Sequence, residues 1–172
     1  MAKDSEFRTV RGYQMIKQQS TSNLSPSMED YLEMIYRLSL QEGYVRVNML
    51  AEMLNVQSPS VTRTVQKLAE LEHVKYHRYG IIQLTDQGQT LGRYLLARHE
   101  TIEQFFRNIG AGDGLFVDTE LIEHHLSRKA VQQLEILNTW FQDPDVLRQF
   151  VDFAATQATE TGNMGNEPSG RD

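Results

Sequence analysis

The stretch Val47-Asn48-Met49-Leu50-Ala51-Glu52-Met53-Leu54-Asn55-Val56-Gln57-Ser58-Pro59-Ser60-Val61-Thr62-Arg63-Thr64-Val65-Gln66-Lys67-Leu68-Ala69-Glu70-Leu71 decides the fold. Leu50, Ala51 and Leu54 recur at helical spacing, and so do Val61, Val65, Leu68 and Leu71. Asn55-Val56-Gln57 between the two runs reads as a turn. Ser58 or Ser60 is placed to cap the second helix, and Pro59 is tolerated in a first helical turn. Helix, short turn and capped helix make the helix-turn-helix pattern.

Working outward, Val74–His77 and Ile81–Leu84 read as two short strands, with Arg78-Tyr79-Gly80 as the hairpin tip and Gly80 as its permissive residue. A helix-turn-helix followed by a small basic hairpin is a winged helix. Val45-Arg46-Val47 reads as a short strand or extended turn. Upstream, order is expected to begin at Pro26, with Ser27 as the cap. Met28, Tyr31, Leu32, Ile35, Tyr36 and Leu38 form the stripe of that helix, and Gly43 stops it. Downstream, Thr85 caps a long helix reaching about Ile109. A helix around Glu120, one capped by Ser127 and one after Asp143-Pro144 follow. Their apolar sides are Leu121, Ile122 and Leu126, then Val131, Leu134, Leu137, Trp140 and Phe141, then Val146, Leu147, Phe150, Val151 and Phe153. The expected architecture is mainly α: a winged helix-turn-helix domain with a β-hairpin wing over 26–84, then a linker helix and an all-helical part over 85–157. Residues 1–25 and 158–172 read as flexible tails, rich in polar residues and glycine.

The formal charge of −6 argues against a nucleic-acid binder until its distribution is seen. From Ser58 to Arg98 six Lys/Arg stand against three acids; from His99 to Glu160 eleven acids stand against four bases. A basic middle and an acidic C-terminal half suit a DNA-contacting part joined to a cation-collecting part. In the former, Gln57, Ser58, Ser60, Thr62 and Arg63 are placed for base edges or nearby phosphates, and Lys67, Arg78 and Tyr79 for backbone phosphate. No apolar run reaches a membrane span, and no secretory leader opens the chain, so the expectation is a cytoplasmic protein without membrane partners. With no cysteine, disulfides and thiolate metal sites are excluded.

Metal-ligand chemistry concentrates at three places. On a helix, Glu120, Glu123 and His124 share one face. Asp30 and Glu33 stand three apart on the first helix, and His99 lies in the middle of the long one. Each group has a plainer reading: a wet helix face, early carboxylates favoured by the helix dipole, a solvated histidine. Together, four carboxylates and two imidazoles suit two ions at high coordination number, and such oxygen-rich surroundings favour Mn²⁺ by geometry. No activated nucleophile, phosphate-binding Gly-rich loop or H-E-x-x-H pair points to an enzyme.

Four segments carry a resemblance: Pro26-Ser27-Met28-Glu29-Asp30-Tyr31-Leu32-Glu33; Ser60-Val61-Thr62 with Val65-Gln66-Lys67-Leu68; Arg98-His99-Glu100 with Glu103-Gln104-Phe105; and Ile122-Glu123-His124-His125-Leu126-Ser127. In that order the chain resembles the manganese-responsive transcriptional repressors of the diphtheria toxin repressor family. The resemblance implies that Asp30, Glu33, His99, Glu120, Glu123 and His124 bind a pair of Mn(II) ions per subunit as co-repressor. It implies a helical dimerisation domain, a homodimer on double-stranded operator DNA, and control of manganese uptake genes. The iron-responsive branch has Met where Asp30 stands, and usually a further C-terminal domain. Two rivals remain: a winged-helix regulator sensing a small organic ligand, and a dinuclear metallohydrolase, for which the sequence offers no substrate-binding motif.

Overall fold

Order is established one step earlier than the sequence suggests. In the computed structural model, which describes residues 23–164, helix α1 (Pro26–Glu42) is capped by Ser25. The Ser25 hydroxyl accepts from the Met28 amide at 3.4 Å, and Pro26 takes the first helical position. Ser27, the expected cap, is already inside the helix, and Leu24, expected in the tail, is buried in the core. Expectations for 1–22 and 165–172 lie outside the described residues. Gly43 ends α1 at φ +73, a left-handed conformation that costs glycine nothing sterically.

Strand β1 (Val45–Arg46) leads into α2 (Val47–Met53), and α3 (Ser58–Glu70) follows the turn. The helix-turn-helix is therefore as read, with one correction: Gln57 is the N-cap residue of α3, without a side-chain cap bond, and Ser58 is already helical. Strands β2 (Val74–His77) and β3 (Ile81–Leu84) form the wing, and β1 joins them in an antiparallel sheet of order β1-β3-β2. At the tip Tyr79 as well as Gly80 has positive φ, 64° and 72°. Leu32, Ile35, Leu50, Val61, Leu68 and Ile82 are wholly buried, so α1, both helices of the motif and the sheet share one hydrocarbon core. Leu71, assigned to the buried face of α3, is 39% exposed because the helix ends at Glu70 and the chain turns there.

Thr85 caps α4 (Asp86–Asn108): its hydroxyl accepts from the Gly88 amide at 3.0 Å and donates to the Glu72 carbonyl at 2.6 Å. Two glycines let this helix approach its neighbours. A Cβ on Gly88 would stand 1.8 Å from the His73 carbonyl oxygen, and one on Gly92 would stand 2.7 Å from the Tyr36 Cβ.

The chain divides into two compact units, residues 1–100 and 101–172. The second holds the end of α4, then α5 (Leu115–Ile122), α6 (Arg128–Trp140) and α7 (Pro144–Met164). Ser127 caps α6, accepting from the Ala130 amide at 3.2 Å. Helix α7 continues to Met164, through residues 158–164 that had read as tail. Ile102, Val131 and Phe141 are buried, and Phe141 meets Phe150 edge-on at 5.3 Å. The apolar stripes expected here are only partly interior: Leu121, Leu137, Trp140, Val151 and Phe153 are exposed.

Gly88→Ala is expected to cost stability at the upper end of the overpacking range, about 3 kcal/mol or more, because the obstacle is a backbone carbonyl that cannot rotate away. Thermal melting of the variant checks this. A second expectation concerns His73, whose pKa burial pushes below the ordinary 6.5. The unfolded chain then binds the proton more readily, so this contribution to stability is complete above about pH 6.5 and is lost as pH falls below it. Urea unfolding at pH 7 and pH 5 should show a smaller drop for His73→Gln than for the parent.

Candidate metal and nucleic-acid sites

The DNA-facing candidates all belong to the first unit. Val61, Val65 and Leu68 turn α3 towards the core, which leaves Ser60, Arg63, Gln66 and Lys67 on its outer side. Gln57 is exposed at its start, and Ser58 is half-buried. Thr62 is less available than its position suggested: its hydroxyl donates to the Ser58 carbonyl at 3.1 Å. At the wing tip Arg78 is exposed, and Tyr79 is 91% exposed. Arg46, Lys75 and His77, which the sequence reading did not put forward, are also exposed in the first unit. Strand alternation puts Arg46 and His77 opposite Ile81 and Lys75 opposite Gln83, so all three share the outer face of the sheet. Period-two patterning would have found them.

The metal candidates fall into two half-sets. In the first unit, Glu33 on α1 and His99 on α4 are both buried and bring a carboxylate oxygen and a ring nitrogen within 4.8 Å of each other. Asp30 is half-buried one turn before Glu33. Arg37, four residues on, holds Glu33 Oε1 at 2.8 Å. In the second unit Glu123 is 1% exposed, with His124 Nε2 3.4 Å from its Oε1. Glu120 is half-buried on α5. The helical-face argument for this half-set needs a correction. Helix α5 ends at Ile122; Glu123 keeps helical φ and ψ and donates its amide to Thr119, whereas His124 projects from the following turn. Leu121, expected on a core-facing stripe, is 64% exposed.

Buried carboxylates and imidazoles of this kind need cations or donors around them. The donor chemistry fits a divalent ion: oxygen and nitrogen ligands, with no sulfur in the set. No helix among the described residues is long and apolar enough to cross a membrane.

Two family models match the chain, one after the other. Residues 23–82 match the family model of the iron dependent repressor N-terminal DNA binding domain. Residues 85–146 match that of the iron dependent repressor metal binding and dimerisation domain. The chain is similar to the HTH-type transcriptional regulator MntR of Geobacillus thermodenitrificans, 44% identical over 122 residues, 70% of this chain and 86% of the relative. It is 43% identical to MntR of Oceanobacillus iheyensis over 122 residues, 70% of this chain and 83% of that one. Among solved structures, the manganese regulator SloR matches at 31% identity with a TM-score of 0.58, over 67% of this chain and 55% of that one. ScaR with bound Zn²⁺ matches at 28% identity with a TM-score of 0.52, over 64% and 52%. The chain thus spans about half the length of these two solved structures.

Arg63→Ala is expected to weaken binding to a selected duplex by about 1–3 kcal/mol, the worth of a bidentate base contact. Titration of selected and random duplexes in parallel checks it. Equal losses on both would make Arg63 a phosphate contact.

Proposed function

As a member of the iron dependent repressor family, this chain is a metal-dependent, DNA-binding transcriptional regulator, and we propose that manganese(II) is the ion it answers to. The observation that carries the reading is the donor set: Asp30, Glu33 and His99 from the first unit, Glu120, Glu123 and His124 from the second. Four carboxylates and two imidazoles, without sulfur, favour a hard ion of high coordination number. We assign the six side chains to two ions per subunit, with Glu33 and Glu123, both deeply buried, as bridging carboxylates. The named manganese regulator among the similar structures and the MntR relatives support the choice of metal.

The partner is double-stranded operator DNA, met by Gln57, Ser58, Ser60, Thr62 and Arg63 on or beside α3, and by Lys67, Arg78 and Tyr79 at phosphate. A homodimer would place two α3 helices on a pseudo-palindrome. Exposed Phe116, Leu121, Ile136 and Trp140 give the second unit apolar surface to bury against a second copy. The regulated genes are those of manganese uptake, and the protein works in the cytoplasm.

Without an ion the carboxylates repel one another, and the two half-sets are free to separate. Ion binding offsets that repulsion and meets the ordering cost before DNA arrives. Such coupling is worth about 1–3 kcal/mol in allosteric systems, and it is reciprocal. The test is to titrate Mn²⁺ with and without operator DNA, and to measure DNA binding across a panel of divalent ions. Operator should tighten Mn²⁺ binding by the same factor by which Mn²⁺ tightens operator binding. Equal Mn²⁺ affinity in both titrations would leave the metal a structural ion only, and DNA binding indifferent to every metal would favour an organic effector.

A further inference from the structure

Arg98 and Glu29 belong to neither candidate set, yet each immediately precedes a candidate metal ligand, His99 and Asp30. Arg98 Nη2 donates to Glu29 Oε2 at 3.0 Å, and the two side chains are only 5% and 8% exposed. We propose that this buried ion pair is a positioning device that sets α4 against α1 so that the ligands of the first unit arrive preassembled. The proposal rests on the manganese reading above.

The geometry runs along both helices. Consecutive residues on a helix point about 100° apart, so Arg98 reaches Glu29 while His99 leaves α4 in another direction, its ring within 4.8 Å of Glu33. Glu29 and Glu33 are four apart and share a face of α1. Farther along, Gly92 admits Tyr36, and Arg93 Nε donates to the Tyr36 hydroxyl at 3.3 Å. Contacts thus pass from Tyr36 back to Glu29 on α1 as they advance from Gly92 to Arg98 on α4, which makes the helices antiparallel neighbours. The tyrosine contacts fix one end of the pair, and the ion pair fixes the end that carries the ligands.

A buried ion pair adds little net stability, because desolvation consumes most of the Coulombic gain, and an apolar pair of similar volume holds two helices at least as well. The ion pair adds direction. A charge-assisted hydrogen bond from a side chain of α4 to one of α1 is directional, so the Nη2–Oε2 contact ties the rotation of α4 to its height along α1. Those two parameters decide where His99 stands relative to Glu33. Groups of this kind beside a metal site characteristically act on the metal through the ligands they orient.

The test uses the full-length protein and two variants: Glu29→Leu with Arg98→Met, which removes both charges, and Glu29→Gln, which keeps the shape. Melting without metal reports the fold. Calorimetric Mn²⁺ titration and the electron paramagnetic resonance line shape of bound Mn²⁺ report the site. The double variant should melt within a few degrees of the parent, bind Mn²⁺ about tenfold or more weakly, as loss of a ligand-orienting neighbour does, and give broadened lines. A folded double variant with Mn²⁺ affinity within about twofold of the parent and unchanged line shape overturns the proposal. If the double variant does not fold, Glu29→Gln is judged by the same criterion. Failure of both to fold overturns it as well, since the pair would then be a determinant of the fold. A parent that binds no Mn²⁺ sinks the manganese reading itself, an outcome distinct from variants that match a binding parent.

Discussion

A charge taken out of water has to be met by another charge, a donor or an ion, and the first unit is built around that constraint. Glu29, Glu33, Arg98 and His99 are all more than nine-tenths buried, and all sit on two helices, α1 and α4. Helix α1 therefore has two interior faces. Leu32 and Ile35 go into hydrocarbon; Glu29 and Glu33 go into a polar seam against α4. Arg98 compensates Glu29 and Arg37 engages Glu33, so the seam is held by electrostatics where the other face is held by burial of apolar area.

The apolar face of α1 matters for DNA because of what it touches. It packs on α3 and on β3, the recognition helix and the central strand of the wing sheet. Of the DNA-facing candidates, Gln57, Ser60, Arg63, Lys67, Arg78 and Tyr79 are exposed, whereas the candidate ligands Glu33 and His99 are buried. An ion held by those buried ligands would lie apart from the exposed side of α3, and on the proposed reading it acts through the placement of α1. Separating the two chemistries in this way lets one core serve both.

The pattern elements of the fold were legible because their physical signals are local. Period 3.6 in Val61, Val65 and Leu68 placed α3, and alternation with a glycine tip placed the wing. Ser25 was missed because Ser27 also satisfies the composition of a cap, and only backbone geometry separates the two. Leu121 and Trp140 were assigned to a core since an apolar stripe does not say whether its partner lies in the same chain. For the site, residue types and helical spacing brought out the candidate ligands, but they could not show that α5 stops at Ile122. The Arg98–Glu29 pair joins residues 69 apart in sequence, and no spacing rule reaches that far.

The charge of the proposed donor set bears on why it is carboxylate-rich at all. The four carboxylates bring four negative charges and two divalent ions would bring four positive ones, so two ions match the formal charge of the proposed donor set and one leaves two negative charges over. Apolar side chains at these positions would bury without an ion, since burial of hydrocarbon asks for no cofactor. Buried carboxylates carry a desolvation cost that a bound cation can offset, as Arg37 does in part for Glu33. On the proposed reading, the stability given up in placing charges where leucines would fit is what ties the site to an ion concentration.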